Sequence, residues 1–134
     1  MRKQIYYLLD TNSIIYYLQG YKVLDTIFER FVKGTAIPVI SIITEIELLG
    51  FKEITTKEKR LITKLLSNFQ VYEVNKEIAD ETIRIRKRYS LRIPDAIIAA
   101  TAVIKEAILV TRDEAHFKKI KGLVTLNPFR KRIP

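Results

Sequence analysis

Among the five aspartates of the 134-residue chain, Asp10, Asp95 and Asp113 stand where chemistry is feasible. Asp10 directly follows the apolar run IYYLL, and one residue separates Asp113 from the run AILVT. Asp95 follows Pro94, which reads as the first turn of a helix. The other two, Asp25 and Asp80, fall on polar positions of amphipathic stretches and read as solvated charges. Two of them have plain structural readings, Asp10 as a helix N-cap and Asp95 as a first-turn acid complementing the helix dipole. Gathered together, however, carboxylates repel and raise each other's pKa unless a cation neutralises them. An oxygen-only donor set of that kind suits Mg²⁺ or Mn²⁺ rather than zinc.

The elements that must position these residues alternate. Short apolar runs at 4–9, 36–40, 71–74, 107–111 and 123–126 read as strands, with Pro38 suggesting an edge or an end for the second. Helical patterns lie near 13–19, 23–32, 44–49, 57–68, 76–89 and from Pro94 to about 106. The second of these carries Leu24, Ile27, Phe28 and Phe31 at helical spacing, and the fifth is amphipathic through Ile78, Ile83 and Ile85 behind an Asn75 cap. Strands that are apolar on both faces and separated by helices predict an α/β fold with a central parallel sheet covered on both sides. In such a sheet all strand C-termini share one rim, and so do the N-termini of the following helices. Asp10, Asp95 and Asp113 therefore converge on that rim.

Composition narrows the function. The chain is 48% apolar with a mean hydropathy of +0.02, enough for one core and one domain over residues 1–134, and too apolar for a disordered chain. A net charge of +9 and a pI near 9.8 favour an anionic partner, nucleic acid first. There is no cysteine, which excludes disulfides, thiolate zinc sites and thiol nucleophiles, and a single histidine, His116, excludes a two-histidine metal site. The apolar stretch at 5–9 is too short for a secretory signal and that at 96–104 too short to span a bilayer, so a cytoplasmic protein is expected, with no membrane partner.

Four blocks, in order, resemble the PIN-domain nucleases, in particular the VapC-type toxins of toxin–antitoxin pairs. They are LLDTNSII with Asp10, Thr44-x-x-Glu47-Leu48 within SIITEIELLGF, IPDAIIAATA with Asp95, and LVTRDEAHF with Asp113. The resemblance runs from residue 5 to about 120 and implies a three-layer α/β/α fold with an acidic pocket at one sheet edge. It implies that Asp10, Glu47, Asp95 and Asp113 are catalytic and bind Mg²⁺ or Mn²⁺, with Thr11, Asn12 and Thr111 as polar supports. Helical periodicity does not choose between Glu45 and Glu47, because both flank the stripe of Ile42, Ile46 and Leu49; only the Thr-x-x-Glu-Leu block selects Glu47. Some relatives carry another acid after the fourth-block aspartate; here Glu114 and His116 follow, and neither is assigned to metal.

The implied activity is a metal-dependent endoribonuclease acting on phosphodiester bonds of RNA, the toxin of a type II pair. The implied partners are an RNA substrate, a small antitoxin and a second copy in a homodimer. Antitoxins of this kind lay a C-terminal segment over the acidic pocket, and the apolar residues Ile14, Ile15, Leu18, Leu24 and Ile27 are candidates for the groove. Basic residues gather at Arg84, Arg86, Lys87, Arg88 and Arg92, within nine residues that contain no acid. More lie towards the C-terminus at Arg112, Lys118, Lys119, Lys121, Arg130, Lys131 and Arg132. Arg112, Arg86, Arg88 and Arg92 are the candidate RNA contacts, on a rim suited to a single strand. The N-terminal tyrosines Tyr6, Tyr7, Tyr16, Tyr17 and Tyr21 read as packing residues. Two alternatives stay open beside the toxin: a non-toxin RNA-processing nuclease and a catalytically inactive RNA-binding scaffold. A phosphotransfer domain ranks last, since Asp10-Thr11-Asn12 is neither an acidic pair nor Asp-x-Asp.

Overall fold

A computed structural model describes residues 4–130. The elements run β1 (Tyr6–Leu9), α1 (Thr11–Leu18), a 3₁₀ turn (Lys22–Leu24), α2 (Asp25–Val32), β2 (Ile37–Ser41), α3 (Ile42–Leu49) and α4 (Thr56–Leu66). They continue with β3 (Gln70–Tyr72), α5 (Lys76–Arg88), α6 (Ile93–Lys105), β4 (Ile108–Val110), α7 (Glu114–Phe117) and β5 (Val124–Leu126). Met1 to Lys3 and the basic Lys131 and Arg132 lie outside the described residues.

The five strands pair in parallel in the order β3-β2-β1-β4-β5. Successive β1 side chains alternate between the two faces, Tyr6 and Leu8 on one and Tyr7 and Leu9 on the other. One face is covered by α5 and α6 through Ile78, Ile85, Ala96, Ile98 and Ala99. The other is covered by α1 to α4 through Ile14, Ile27, Leu48, Ile62 and Leu66. The result is the expected three-layer α/β/α sandwich with a parallel centre. Leu8, Leu9, Val39, Ile40, Leu109 and Val110 in the three central strands are 0% exposed. Burying each is worth about 1.5–3 kcal/mol, so the sheet beneath the site is the most firmly held part of the molecule.

Local chemistry sets the boundaries. Asp10 caps α1 by accepting Ser13 N–H at 2.9 Å, Ser41 caps α3 and Asn75 caps α5. Thr55 and Glu58 form a reciprocal capping box at the start of α4. Pro94 lies in the first turn of α6, where its missing N–H costs nothing.

One expectation is met in part and two are corrected. Of the edge or the end expected for Pro38, the end holds, since it is the second residue of β2, while the strand itself is interior between β1 and β3. Its neighbour Ile37 donates to Ile5 O on the β1 side, so Pro38 presents its donorless nitrogen towards β3, whose pairing begins only at Val39. In α3 the buried face is Thr44 and Leu48, while Ile46 is 58% exposed. In α5 the apolar stripe is Ile78, Thr82 and Ile85, and Ile83 points to solvent at 52% exposure.

Candidate active site

The chain leaves β1 towards β2 on one side, and β4 later takes the other side of β1. This reversal of winding opens a crevice at the C-terminal ends of the two strands, where ligands of open α/β sheets bind. Asp10 and Asp113 stand on either side of it. Together with Asn12, Tyr16 and Arg112 they line a cavity of about 240 Å³.

Asp10 forms the floor. Its backbone N–H donates to Val110 O at 3.2 Å, and Ser13 Oγ donates to the same carbonyl at 3.0 Å, fastening the first turn of α1 to the end of β4. The carboxylate is only 9% exposed. Burial pushes its pKa above the ordinary carboxylate value, opposed by hydrogen bonds from Ser13 and Thr111 and reinforced by the nearby charge of Asp95. Asp10 is thus both a helix cap and a buried acid electrostatically coupled to a second acid. Thr111, fully buried, serves both neighbours: its hydroxyl faces Asp10 and accepts Asp113 N–H at 3.1 Å.

The other two acids stand on α3 and α6 and do not line this cavity. Asp95 occupies the first turn of α6, where the helix dipole favours its charge. Glu47 is held through α1, since the Thr11 hydroxyl donates to Glu47 Oε1 at 2.5 Å and also meets the Thr44 hydroxyl at 3.1 Å. Thr44 is fully buried on the same face of α3, which explains why Glu47, three residues on, is turned to α1. Glu45, in the first turn of α3, is half-buried and makes no such contact among the described residues.

Sequence reasoning missed one neighbour. His116 Nε2 lies 4.0 Å from Asp95 Oδ2, because the short α7, which the apolar pattern did not reveal, carries it there. The basic candidates divide. Arg86 donates to Leu91 O at 3.2 Å and braces the α5–α6 turn, and Arg84 is paired with Glu81. Arg88 and Arg92 are exposed, the latter immediately before α6 and three residues from Asp95.

The family model for the PIN domain matches residues 7–123. The chain belongs to the PIN-domain family. No curated protein matches its sequence. Solved structures do. A toxin–antitoxin complex from Klebsiella pneumoniae aligns at 29% identity and TM-score 0.76, over 92% of this chain and 98% of the other. VapBC-1 from nontypeable Haemophilus influenzae aligns at 26% and 0.79, over 94% and 100%. VapBC2 from Rickettsia felis, solved with a DNA fragment from its promoter, aligns at 20% and 0.80, over 92% and 98%.

In this PIN domain the candidate donors are oxygens: the carboxylates of Asp10, Asp95, Glu47 and Asp113 with the side chain of Asn12. Among the described residues no three His, Cys, Asp or Glu side chains are close enough to enclose an ion by themselves. A hard divalent cation that keeps several waters and is held by one or two carboxylates fits such a set. The charge of Asp95 adds a small upward push to the Asp10 pKa, which a cation would relieve.

Proposed function

We propose that this PIN domain is a single-domain, divalent-metal-dependent endoribonuclease and the toxin of a toxin–antitoxin pair. The observation that carries the reading is Asp10, a nearly buried carboxylate at the switch of the sheet, coupled to Asp95 and sharing a cavity with Asp113. A buried carboxylate that feels a second negative charge and has no counter-ion is costly, and a cation-dependent site gives it a use. In this reading Asp10 and Asp95 hold Mg²⁺ or Mn²⁺. When bound, such a cation supplies a more acidic water and stabilises charge on the phosphodiester oxygens.

The chain's own groups divide the remaining work. Ser13 and Thr111 fix the Asp10 carboxylate, and Thr11 fixes Glu47 so that its free oxygen can orient a water at the rim. Asp113 and Asn12 complete the polar wall beside Asp10. Arg112, with Arg88 and Arg92, attracts the RNA backbone; Arg86 contributes charge while bracing its turn. No covalent nucleophile is required.

Structural likeness to toxin–antitoxin complexes at 29% and 26% identity supports the toxin assignment and an antitoxin partner; a homodimer in the cytoplasm follows the family resemblance. No helix among the described residues is long and apolar enough to cross a membrane. Of the groove residues anticipated from sequence, Ile14, Leu24 and Ile27 are core. Ile15 and Leu18 instead line an apolar cleft with Leu48, Leu61 and Ile62, the better seat for an antitoxin.

The test is cleavage of a fluorescent single-stranded RNA panel with Mg²⁺, Mn²⁺ or EDTA, alongside Asp95→Asn. Metal-dependent cutting that disappears in the folded variant is the expected result. Equal cutting by the variant would refute the site, and RNA binding with no cutting under any metal would turn the reading towards a scaffold.

A further inference from the structure

Arg112 is the one basic side chain lining the Asp10–Asp113 cavity, yet none of its hydrogen bonds or ion pairs among the described residues comes from the guanidinium. Its charge rests instead on aromatic faces. The guanidinium carbon lies 4.2 Å from the ring centre of Phe129 and 5.4 Å from that of Tyr16. These two rings meet edge-on at 5.0 Å and 71°, forming a corner into which Arg112 is set. Tyr21 closes the back of the corner, 5.7 Å from Phe129.

Phe129 belongs to the segment after β5, and that segment is fastened to the Arg112 loop. Asn127 donates from its side-chain amide to Arg112 O at 3.2 Å and accepts Phe129 N–H at 2.9 Å, and Arg130 pairs with Glu114 at 3.1 Å. A guanidinium held over a ring keeps in-plane N–H donors, and those of Arg112 make no hydrogen bond among the described residues. A free, oriented fork beside carboxylates that would otherwise attract it is a receptor for phosphate, which guanidinium binds bidentately.

We propose that the 127–130 segment is a clamp, with Phe129 as a positioning residue that holds Arg112 at the cavity mouth to receive a backbone phosphate of single-stranded RNA. Tyr16, whose ring also lines the cavity, offers the adjoining base a stacking surface. The proposal rests on the ribonuclease reading for its choice of ligand, but binding tests it without cleavage.

The full chain in EDTA is titrated against a fluorescein-labelled single-stranded RNA of about ten nucleotides, by anisotropy, over a range of salt. Arg112→Gln should weaken binding roughly tenfold and flatten the log K against log salt slope by about 0.7, the loss of one single-strand phosphate contact. Phe129→Leu, which keeps apolar bulk without a π face, should weaken binding about threefold to fivefold and also flatten the slope, and Phe129→Tyr should restore both. Thermal melts establish that each variant is folded. A folded Phe129→Leu protein with wild-type affinity and slope would overturn the clamp. So would Arg112→Gln binding Mn²⁺ more tightly with RNA affinity unchanged, which would make Arg112 a counter-ion of the acids. Wild-type protein that binds RNA in this manner but never cuts sinks the nuclease reading and leaves the clamp standing. Wild-type cutting that is indifferent to Phe129 and Arg112 does the reverse.

Discussion

Asp10 carries two loads that two substitutions separate. Its carboxylate caps α1 by accepting Ser13 N–H at 2.9 Å, and its buried charge sits near Asp95. Asn caps as well as Asp does and removes the charge, whereas Ala removes both. Without metal, Asp10→Asn should therefore be at least as stable as wild type, because burial penalises the charged form it lacks. Asp10→Ala should fall below Asp10→Asn by the worth of the cap, about 1 kcal/mol, or roughly 3–4 °C in Tm for a chain of this size. Mn²⁺ at about a hundred times Kd should raise wild-type stability by about 2.7 kcal/mol and leave both variants unmoved. The assay is thermal melting followed by circular dichroism, in EDTA and in Mn²⁺. The reasoning is refuted if the Asn variant melts with the Ala variant, or if either variant gains from Mn²⁺ as wild type does.

Other consequences are as direct. Burial lifts the Asp10 pKa above its unfolded value of 3.8, so over the window between the two the native state holds a proton that the unfolded chain has lost. The stability this group carries falls as pH rises through that window and is level above it. Metal-free urea unfolding should show the advantage of Asp10→Asn over wild type opening there; an advantage that shrinks with rising pH would contradict the burial argument. Thr55→Ala breaks the capping box of α4 and should cost about 1 kcal/mol. The Thr55 backbone N–H is the larger hold on the lowered Glu58 pKa and survives in alanine, so losing the hydroxyl should raise that pKa only in part; NMR titration reads both states. Ala99 is fully buried where α6 meets the sheet, so Ala99→Leu should overpack and cost about 1–3 kcal/mol in denaturant unfolding.

The meeting of Asp10 and Asp113 at one cavity was legible in the sequence because it follows from topology: parallel strands deliver their C-termini to one rim, and runs such as IYYLL announce parallel strands. What was not legible depended on polar residues that behave as core. Thr44 and Thr82 are buried at 0% and 7%, so the stripes that include them are invisible to an apolar count, and Ile46 and Ile83 were credited with faces they do not occupy. Pro38 marked the start of a strand rather than a sheet edge, since its tolerance rests on where the neighbouring strand begins. The roles of His116 and Phe129 come from tertiary contact alone. No periodicity marks a short helix such as α7 or an irregular segment after the last strand, and only the folded chain shows that both reach the site.

The floor of the cavity has a history in time as well as a geometry. Asp10 emerges early in synthesis, but the carbonyl that takes both its own N–H and the Ser13 hydroxyl belongs to Val110, 97 residues beyond Ser13. Thr111, Arg112 and Asp113 come later still, and Phe129 after them. A nascent chain on the ribosome thus holds an unpaired β1 flank and scattered acids, with no pocket for an ion or a phosphate. The cavity takes shape only when β4 and the residues after it close against the end of β1 and the first turn of α1.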